Sequence, residues 1–291
     1  MDMLMTVIEQ GLIYGILGLG VYITYKILDF PDLTVDGSFP LGAAVTAALI
    51  MRGVNPYVTL LVAFTVGIVA GICTGLIHVK CHVRDLLSGI IMMTALWSIN
   101  LYIAGTANVP LFSYDTIFKN AMIDQLFGTS GYGTLITILG ITLVCKFLLD
   151  GYLRTKSGFL LRAVGDNATL VTSLAKDQGN VKILGLAISN GLVCLAGSIF
   201  AQEQRVFEIS MGTGAIVIGL ASVIIGTSLF KNMTFIKATT AVLLGSIIYK
   251  GCVAVAIKQF EPQSMKLITA ILFLVILVIS MDRKKKVKKN A

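Results

Sequence analysis

Residues 57–79 read YVTLLVAFTVGIVAGICTGLIHV. The run holds no Asp, Glu, Lys or Arg, and as one helix at ~1.5 Å per residue it crosses the ~30 Å hydrocarbon core of a bilayer. Gly67, Gly71 and Gly75 recur every fourth residue along it, on one helical face. Small residues at this spacing let helix backbones approach closely in lipid. Gly11 and Gly15 repeat the pattern in the first apolar segment. The reading is a compact bundle of membrane helices. The spacing does not separate packing within one chain from packing between two copies.

The rest of the chain has the same character. Of its 291 residues, 56% are hydrophobic and 13% charged, against ~25% charged in a soluble domain. Mean hydropathy is +0.89. So few charges cannot cover a soluble globule, which excludes an ordinary cytosolic or secreted domain. The +8 net charge does not mean nucleic-acid binding, because the basic residues flank apolar spans. Hydropathy places those spans at 5–26, 38–51, 57–79, 86–106, 132–150, 180–202, 213–229, 235–256 and 265–281. The expected fold is all-α: a polytopic integral membrane bundle of eight or nine helices, filling residues 1–291 as one transmembrane domain. The first span carries Asp2 and Glu9 instead of a basic leader, so it reads as a retained helix.

Lys and Arg set the orientation. The tail Arg283-Lys284-Lys285-Lys286-Val287-Lys288-Lys289, within residues 282–291, is placed in the cytosol, and counting back puts the N-terminus outside. Residues 27–37 then fall on the inner side as a loop, although they hold Asp29, Asp32 and Asp36. The spans at 38–51 and 213–229 are short and broken by Pro40, Gly42, Gly214, Gly219 and Gly226. They stand at corresponding places in two halves of opposite direction, the arithmetic of an inverted repeat. Paired interrupted helices of this kind point to a transporter's substrate path. Two ordinary short helices in a bundle read equally well.

Missing motifs narrow the chemistry. No GxxxxGK[ST], HExxH or GxSxG occurs, so the chain has no ATP-binding loop and is not read as an enzyme. The odd count of five cysteines without CxxC argues against a disulfide framework. Four of the cysteines read as buried small hydrophobes, and His78, Cys81 and His82 as a short loop and not a metal site. Carboxylates look nearly absent from the apolar interiors, which disfavours an ion-coupled carrier. Lys250 lies within a span near its outer end, where snorkelling and a substrate or ion-pair role are both open readings. Uncharged polar residues do cluster in the spans. Thr94, Ser98, Asn100, Ser189, Asn190 and Ser222 are the expected lining of a translocation path. Interhelical hydrogen bonds are the alternative for each.

The longest inner loop, 158–176, reads GFLLRAVGDNATLVTSLAK. Asn167 is placed to cap a short helix over 168–176, with Leu170, Val171 and Leu174 on its apolar face. Such a helix suits docking into a partner's groove, lying on lipid being the rival. Arg162 and Asp166, four apart, are expected to pair, for ~0.3–0.5 kcal/mol at a solvated surface.

The stretch FLLRAVGDNATLVTSLAKDQGNVKILGLAISNGLVCLAGSIFAQ resembles the membrane subunits of ABC importers of the branched-chain amino acid and ribose permease family, which carry an Arg-Ala-x-Gly-x-Asn segment before a conduction helix. GLASVIIGTSLF and GLIYGILGLGVYITYKILDFPDLTVDGSFPLGAA extend the likeness over most of the chain, with Gly37 at the family's turn and Gly42 in the helix after it. The three aspartates after the first helix depart from the family pattern. The resemblance implies a type II importer permease, closest to the single-permease branch with lipoprotein binding components. Arg162, Gly165, Asp166, Asn167, Leu170, Val171 and Leu174 would couple to an ATP-binding cassette subunit on the cytosolic side. That partner would bind ATP and Mg; this chain would hold no cofactor. The loops at 107–131 and 203–212 would meet an extracellular substrate-binding protein, and a second permease copy, as a homodimer, would complete the path. The function so implied is import of a small polar solute, an aromatic amino acid first, across a bacterial cell membrane. A stand-alone ion-coupled carrier or channel is the alternative.

Overall fold

The computed structural model describes residues 2–119, 132–166, 177–231, 233, 235–257, 267 and 269–278. Helix α1 (Asp2–Val21) runs on through a π-helical turn, Tyr22–Ile27. Then come α2 (Val35–Met51), α3 (Pro56–Val79) and α4 (Asp85–Ala104). After them stand α5 (Tyr132–Tyr152), α6 (Lys156–Asp166), α7 (Gln178–Gln204), α8 (Ala215–Leu229), α9 (Ala238–Ile257) and α10 (Thr269–Val278). Local chemistry marks several ends. Asn55 caps α3 by accepting from Tyr57 N at 2.9 Å, with Pro56 in the first turn. Gly105, at φ 77°, ends α4 in the left-handed region. Asp177 opens α7 by accepting from Gly179 N at 2.8 Å.

Among the described residues, seven segments are long and apolar enough to cross a membrane. Two core helices are short in themselves, and α8 reaches spanning length only together with the 3₁₀ turn before it, as Ile209–Leu229. α2 has 17 residues and α8 has 15, so at ~1.5 Å per residue neither spans the ~30 Å core alone. Irregular backbone precedes each: Leu28–Thr34 before α2, and before α8 a 3₁₀ turn, Ile209–Gly212, with Gly214 at φ 83°. In the first of these, Leu28, Phe30, Asp32 and Thr34 are buried while Asp29 and Pro31 are exposed. At one end of the bundle the short strands β1 (Asn108–Pro110) and β2 (Val206–Glu208) pair antiparallel, with Val109 opposite Phe207. The opposite end carries α6.

The core forms around α1, α2 and α7, where Ile13, Ile16, Leu17, Phe39, Val193 and Ile199 are fully buried. Leu61, Val69, Tyr102 and Leu148 on α3, α4 and α5 face outward, as lipid-facing side chains do. Both glycine stripes serve contacts within the chain. A Cβ on Gly67 would lie 2.4 Å from the Asn190 carbonyl oxygen, and one on Gly71 2.3 Å from that of Leu186, so α3 sits directly on α7. A Cβ on Gly11 would lie 2.8 Å from Ile247 Cα, which seats α1 on α9 in the same way. The packing partners correspond across the two halves. If α1, α2 and α3 are matched to α7, α8 and α9, the α1–α9 contact matches α7–α3, α2–α7 matches α8–α1, and α2–α3 matches α8–α9.

Three local readings need correction. Residues 27–37 are not an inner loop: Asp32 and Thr34 are buried in the bundle, and α2 begins at Val35 with Asp36 in its first turn. Residues 158–166 are helical and not loop, because Gly158, Leu161 and Val164 recur at helical spacing and bury one face of α6. Of the four cysteines read as buried, Cys145 and Cys194 are; Cys73 is half-buried and Cys252 exposed, in keeping with a helix face turned to lipid.

Candidate functional site

Polar groups inside a membrane bundle are costly unless partnered, so a cluster of them marks structural ties or a solute path. The middle of this bundle holds one. Asn190 stands near the midpoint of α7. Its Nδ2 donates to Asp32 Oδ2 at 2.8 Å and to the Leu186 carbonyl at 3.0 Å, and its Oδ1 accepts from Ser38 Oγ at 2.7 Å. Asp32 Oδ1 accepts from Thr34 N at 2.9 Å, and Thr34 Oγ1 meets Thr74 Oγ1 of α3 at 3.0 Å. Cys194 Sγ donates to the Ser38 carbonyl at 2.9 Å, and Thr46 and Ser198 share a hydrogen bond of 2.5 Å one level further along. The broken backbone before α2 bonds locally, Leu28 N to the Ile23 carbonyl, Phe30 N to that of Thr24 and Thr34 N to Asp32, while side chains of α3 and α7 partner its polar side chains.

A second carboxylate joins the two interrupted helices. Asp36 Oδ1 accepts from Ile216 N at 2.8 Å and Oδ2 from Gly214 N at 3.0 Å. An acid of α2 therefore caps the N-terminus of α8, where orphan N–H groups and the helix dipole favour negative charge. A Cβ on Gly212 would lie 2.2 Å from the Asp36 carbonyl oxygen, so only glycine permits this approach.

The structure gathers three of the six expected path residues here. Asn100 Nδ2 donates to the Gly37 carbonyl at 3.1 Å while its buried Oδ1 has no partner among the described residues. Ser189 Oγ donates to the Gly20 carbonyl at 2.8 Å, beside Asn190. Ser222 lies apart on α8, buried, and donates back to Ile218 at 2.7 Å. Thr94 and Ser98 are exposed on α4, Thr94 donating to the Ile90 carbonyl at 2.8 Å.

Each end has its own tie. At the strand end Gln202 of α7 accepts from Ile117 N at 3.0 Å and donates to Thr59 Oγ1 at 3.2 Å. Nearby an open cleft of about 490 Å³ is lined by Ile50, Val54, Asn55, Ser113, Tyr114 and Asp115. At the α6 end Asp150 receives Thr239 Oγ1 at 2.6 Å and Lys237 Nζ at 3.0 Å, with Lys146 Nζ at 3.4 Å. His78 Nδ1 lies 2.8 Å from the Val83 carbonyl and Nε2 3.3 Å from Lys182 Nζ. The imidazole so placed donates to one and accepts from the other.

Of the expected coupling residues, Arg162 and Asp166 are exposed on α6, and Gly165 is pressed against α1. A Cβ there would lie 1.7 Å from the Ile27 carbonyl oxygen, so α6 is seated on the π-helical end of α1. Asn167, Leu170, Val171 and Leu174 lie outside the described residues. Sequence reasoning missed Asp32 as a buried group and the half-buried Asp36 as a helix cap, and with them the Asp150 clamp. The available signal was three acids in a segment assigned to the basic side.

The chain matches the family model described as branched-chain amino acid transport system, permease component, over residues 3–280. It belongs to that permease family. The permease is 44% identical over 278 residues to a tyrosine transport system permease protein of Clostridioides difficile, covering 95% of this chain and 91% of that one. It is 28% identical over 226 residues to a probable branched-chain amino acid transport permease protein of Methanocaldococcus jannaschii, covering 73% and 70%. It is 26% identical over 289 residues to a ribose import permease protein of Bacillus subtilis, covering 97% and 85%. No solved structure matches.

Proposed function

We propose that this permease is the membrane subunit of an ATP-driven importer whose solute is an amino acid, an aromatic one first. The observation that carries the reading is the 44% identity over nearly the whole chain to a tyrosine transport system permease protein. The geometry supports it. Two interrupted helices meet inside the bundle beside Asp32, Asn190 and Ser38, and discontinuous helices of this kind accompany binding sites in transporters. Asn100 and Asn190 stand at the start of α2 and, with Ser189 beside Asn190 on α7, are the lining nearest that junction; Thr94 and Ser98 face away from it on α4, and Ser222 lies apart on α8.

In this reading the strand end faces outward and the α6 end the cytosol of a bacterial cell, with the N-terminus outside and the C-terminus inside. A separate ATP-binding cassette subunit docks on α6 and the residues after it, through Arg162, Asp166, Leu170, Val171 and Leu174. Gly165 transmits its motion to α1, because α6 and Ile27 touch without a side chain between them. A substrate-binding protein delivers solute at the strand end, and a second copy of the permease closes the path. The permease itself performs no chemistry; the partner binds ATP and Mg and supplies the free energy.

The test is affinity isolation of the tagged permease from native membranes, followed by mass spectrometry and by amino acid uptake in vesicles. A co-purifying ATPase, uptake that requires ATP, and resistance to ionophores support the reading. Recovery of the permease alone, with ionophore-sensitive uptake, would replace it with an ion-coupled carrier. Leu170→Asp is expected to detach the ATPase while leaving the permease in the membrane; a complex that survives with normal turnover would refute the coupling assignment.

A further inference from the structure

Where α1, α7 and α9 converge at the strand end, the mechanism above leaves a set of charges without a task. Lys250 stands on α9 one turn beyond Ile247, which packs on Gly11, and its neighbour Gly251 faces Val7. The Lys250 backbone is therefore level with the first turns of α1. Its ammonium nevertheless lies 3.8 Å from the centroid of the Tyr14 ring, further along α1. The side chain runs into the bundle, the opposite direction from a snorkelling lysine.

The Tyr14 ring is itself fixed. It stacks on Phe39 of α2 at 5.7 Å and meets Phe200 of α7 edge-on at 5.5 Å. The cation is held at a defined place by a cation–π contact. An ammonium has three N–H donors. Among the described residues, no oxygen accepts one of them and no carboxylate lies within 4.0 Å. The carboxylate nearest on α7 is that of Glu203, three residues beyond Phe200 and so on the same helix face that meets the Tyr14 ring. One Glu203 oxygen accepts from Gln204 Nε2. Lys250 and Glu203 are both half-buried. A positive and a negative group thus stand near each other, preorganised and not joined. Inside a membrane such separated charges are costly until something of opposite polarity completes them.

We propose that Lys250 and Glu203 form a subsite for the zwitterionic head of an amino acid solute, Lys250 taking the α-carboxylate and Glu203 the α-ammonium. The proposal rests on the amino acid importer reading and adds where the head group is gripped. The aromatic trio serves the site by holding the cation, not by stacking on the solute, because Tyr14 is 6% exposed and Phe39 wholly buried.

The experiment uses the permease purified with its co-isolated partners, reconstituted in phosphatidylglycerol vesicles, with labelled tyrosine as the probe. Lys250→Met keeps the aliphatic stem and removes the charge; Glu203→Gln removes the other charge at constant shape. Each is expected to lower ATP-dependent uptake at least tenfold while basal ATP hydrolysis and complex assembly stay within twofold of the wild type. Lys250→Arg is expected to keep at least a third of the uptake. Should Lys250→Met fail to assemble, Glu203→Gln decides alone. Wild-type uptake of tyrosine with both variants within twofold of it overturns this proposal and leaves the importer reading standing. A wild-type complex that imports no amino acid overturns the importer reading and this one with it. Phosphatidylethanolamine offers similar head-group chemistry; if wild-type uptake falls to the variant level without that lipid and recovers on adding it, the subsite belongs to lipid and the proposal is wrong.

Discussion

Replacing Gly42 with alanine would put a methyl group 1.9 Å from the Cys194 carbonyl oxygen and 2.8 Å from Cys194 Cα. Both atoms are backbone of α7, so no rotamer change relieves the clash. Ordinary contact begins at 3.4 Å, so α2 and α7 must part by about 1.5 Å. Bonds that bridge this seam cannot follow. Ser38–Asn190 at 2.7 Å, Cys194–Ser38 at 2.9 Å and Thr46–Ser198 at 2.5 Å would all stretch past hydrogen-bonding distance if the helices separate uniformly. Overpacking a tight contact costs ~1–3 kcal/mol, and interhelical hydrogen bonds in membranes average ~0.6 kcal/mol each. The combined loss is about 3–5 kcal/mol. For a chain of this size it corresponds to a fall of ~6–20 °C in unfolding temperature. The assay is thermal unfolding in detergent, followed by monodispersity on gel filtration. Gly140→Ala is the control, since a Cβ at Gly140 of α5 meets nothing within 4 Å. If Gly42→Ala unfolds within 2 °C of that control (about 1 kcal/mol or less), the α2–α7 seam is not held as described here.

Other outcomes follow from the same contacts. Asn190→Leu removes the partner of Asp32 and Ser38 at once and is expected to cost ~2–4 kcal/mol, read by the same thermal assay; Asn190→Asp, which offers no donor to Asp32 when ionised, should not rescue it. Asp36→Ala strips the cap from α8 and should cost ~1–2 kcal/mol, with faster amide exchange at Gly214 and Ile216 as the local signature. Gly165→Val should unseat α6 from Ile27, leaving insertion intact while uncoupling ATP hydrolysis from uptake in the reconstituted complex. Thr239→Val should loosen the α5–α9 tie at Asp150 by ~1 kcal/mol, measurable as a lower unfolding temperature.

The membrane fold was legible because hydropathy and glycine spacing are local signals. Residues 57–79 show both, and the structure turns their glycine face onto α7 within the chain. The paired interruptions at 38–51 and 213–229 were also readable, since Pro40 and Gly42 punctuate the first and Gly214, Gly219 and Gly226 the second. What they do was not readable. Asp36 and Gly214 lie 178 positions apart, and no window along the chain carries the information that one caps the other. Asp32 was misplaced for a related reason: hydropathy averaging counts an acid as a sign of water, whereas here Asn190 and the Thr34 amide replace the water. Lys250 was ambiguous because its direction depends on Tyr14, a residue on another helix. Of the expected path residues, Asn100, Ser189 and Asn190 shared only polarity and mid-span position. Only the fold brings them to the start of α2, while Thr94 and Ser98 turn away from it.

The Asp36 tie sets a rule for motion. With its carboxylate in the mouth of α8 and Gly212 against its own backbone, α2 and α8 behave as a single lever spliced at its centre. Neither arm tilts without carrying the other. Pliancy then belongs to the two irregular leads into the splice, Leu28–Thr34 from one end and Ile209–Gly214 from the other. In the proposed coupling scheme, a push on α6 would reach the first lead at Ile27 and emerge at the second, on the far side of the bundle. One carboxylate would thereby make opening at one end and closing at the other the same displacement.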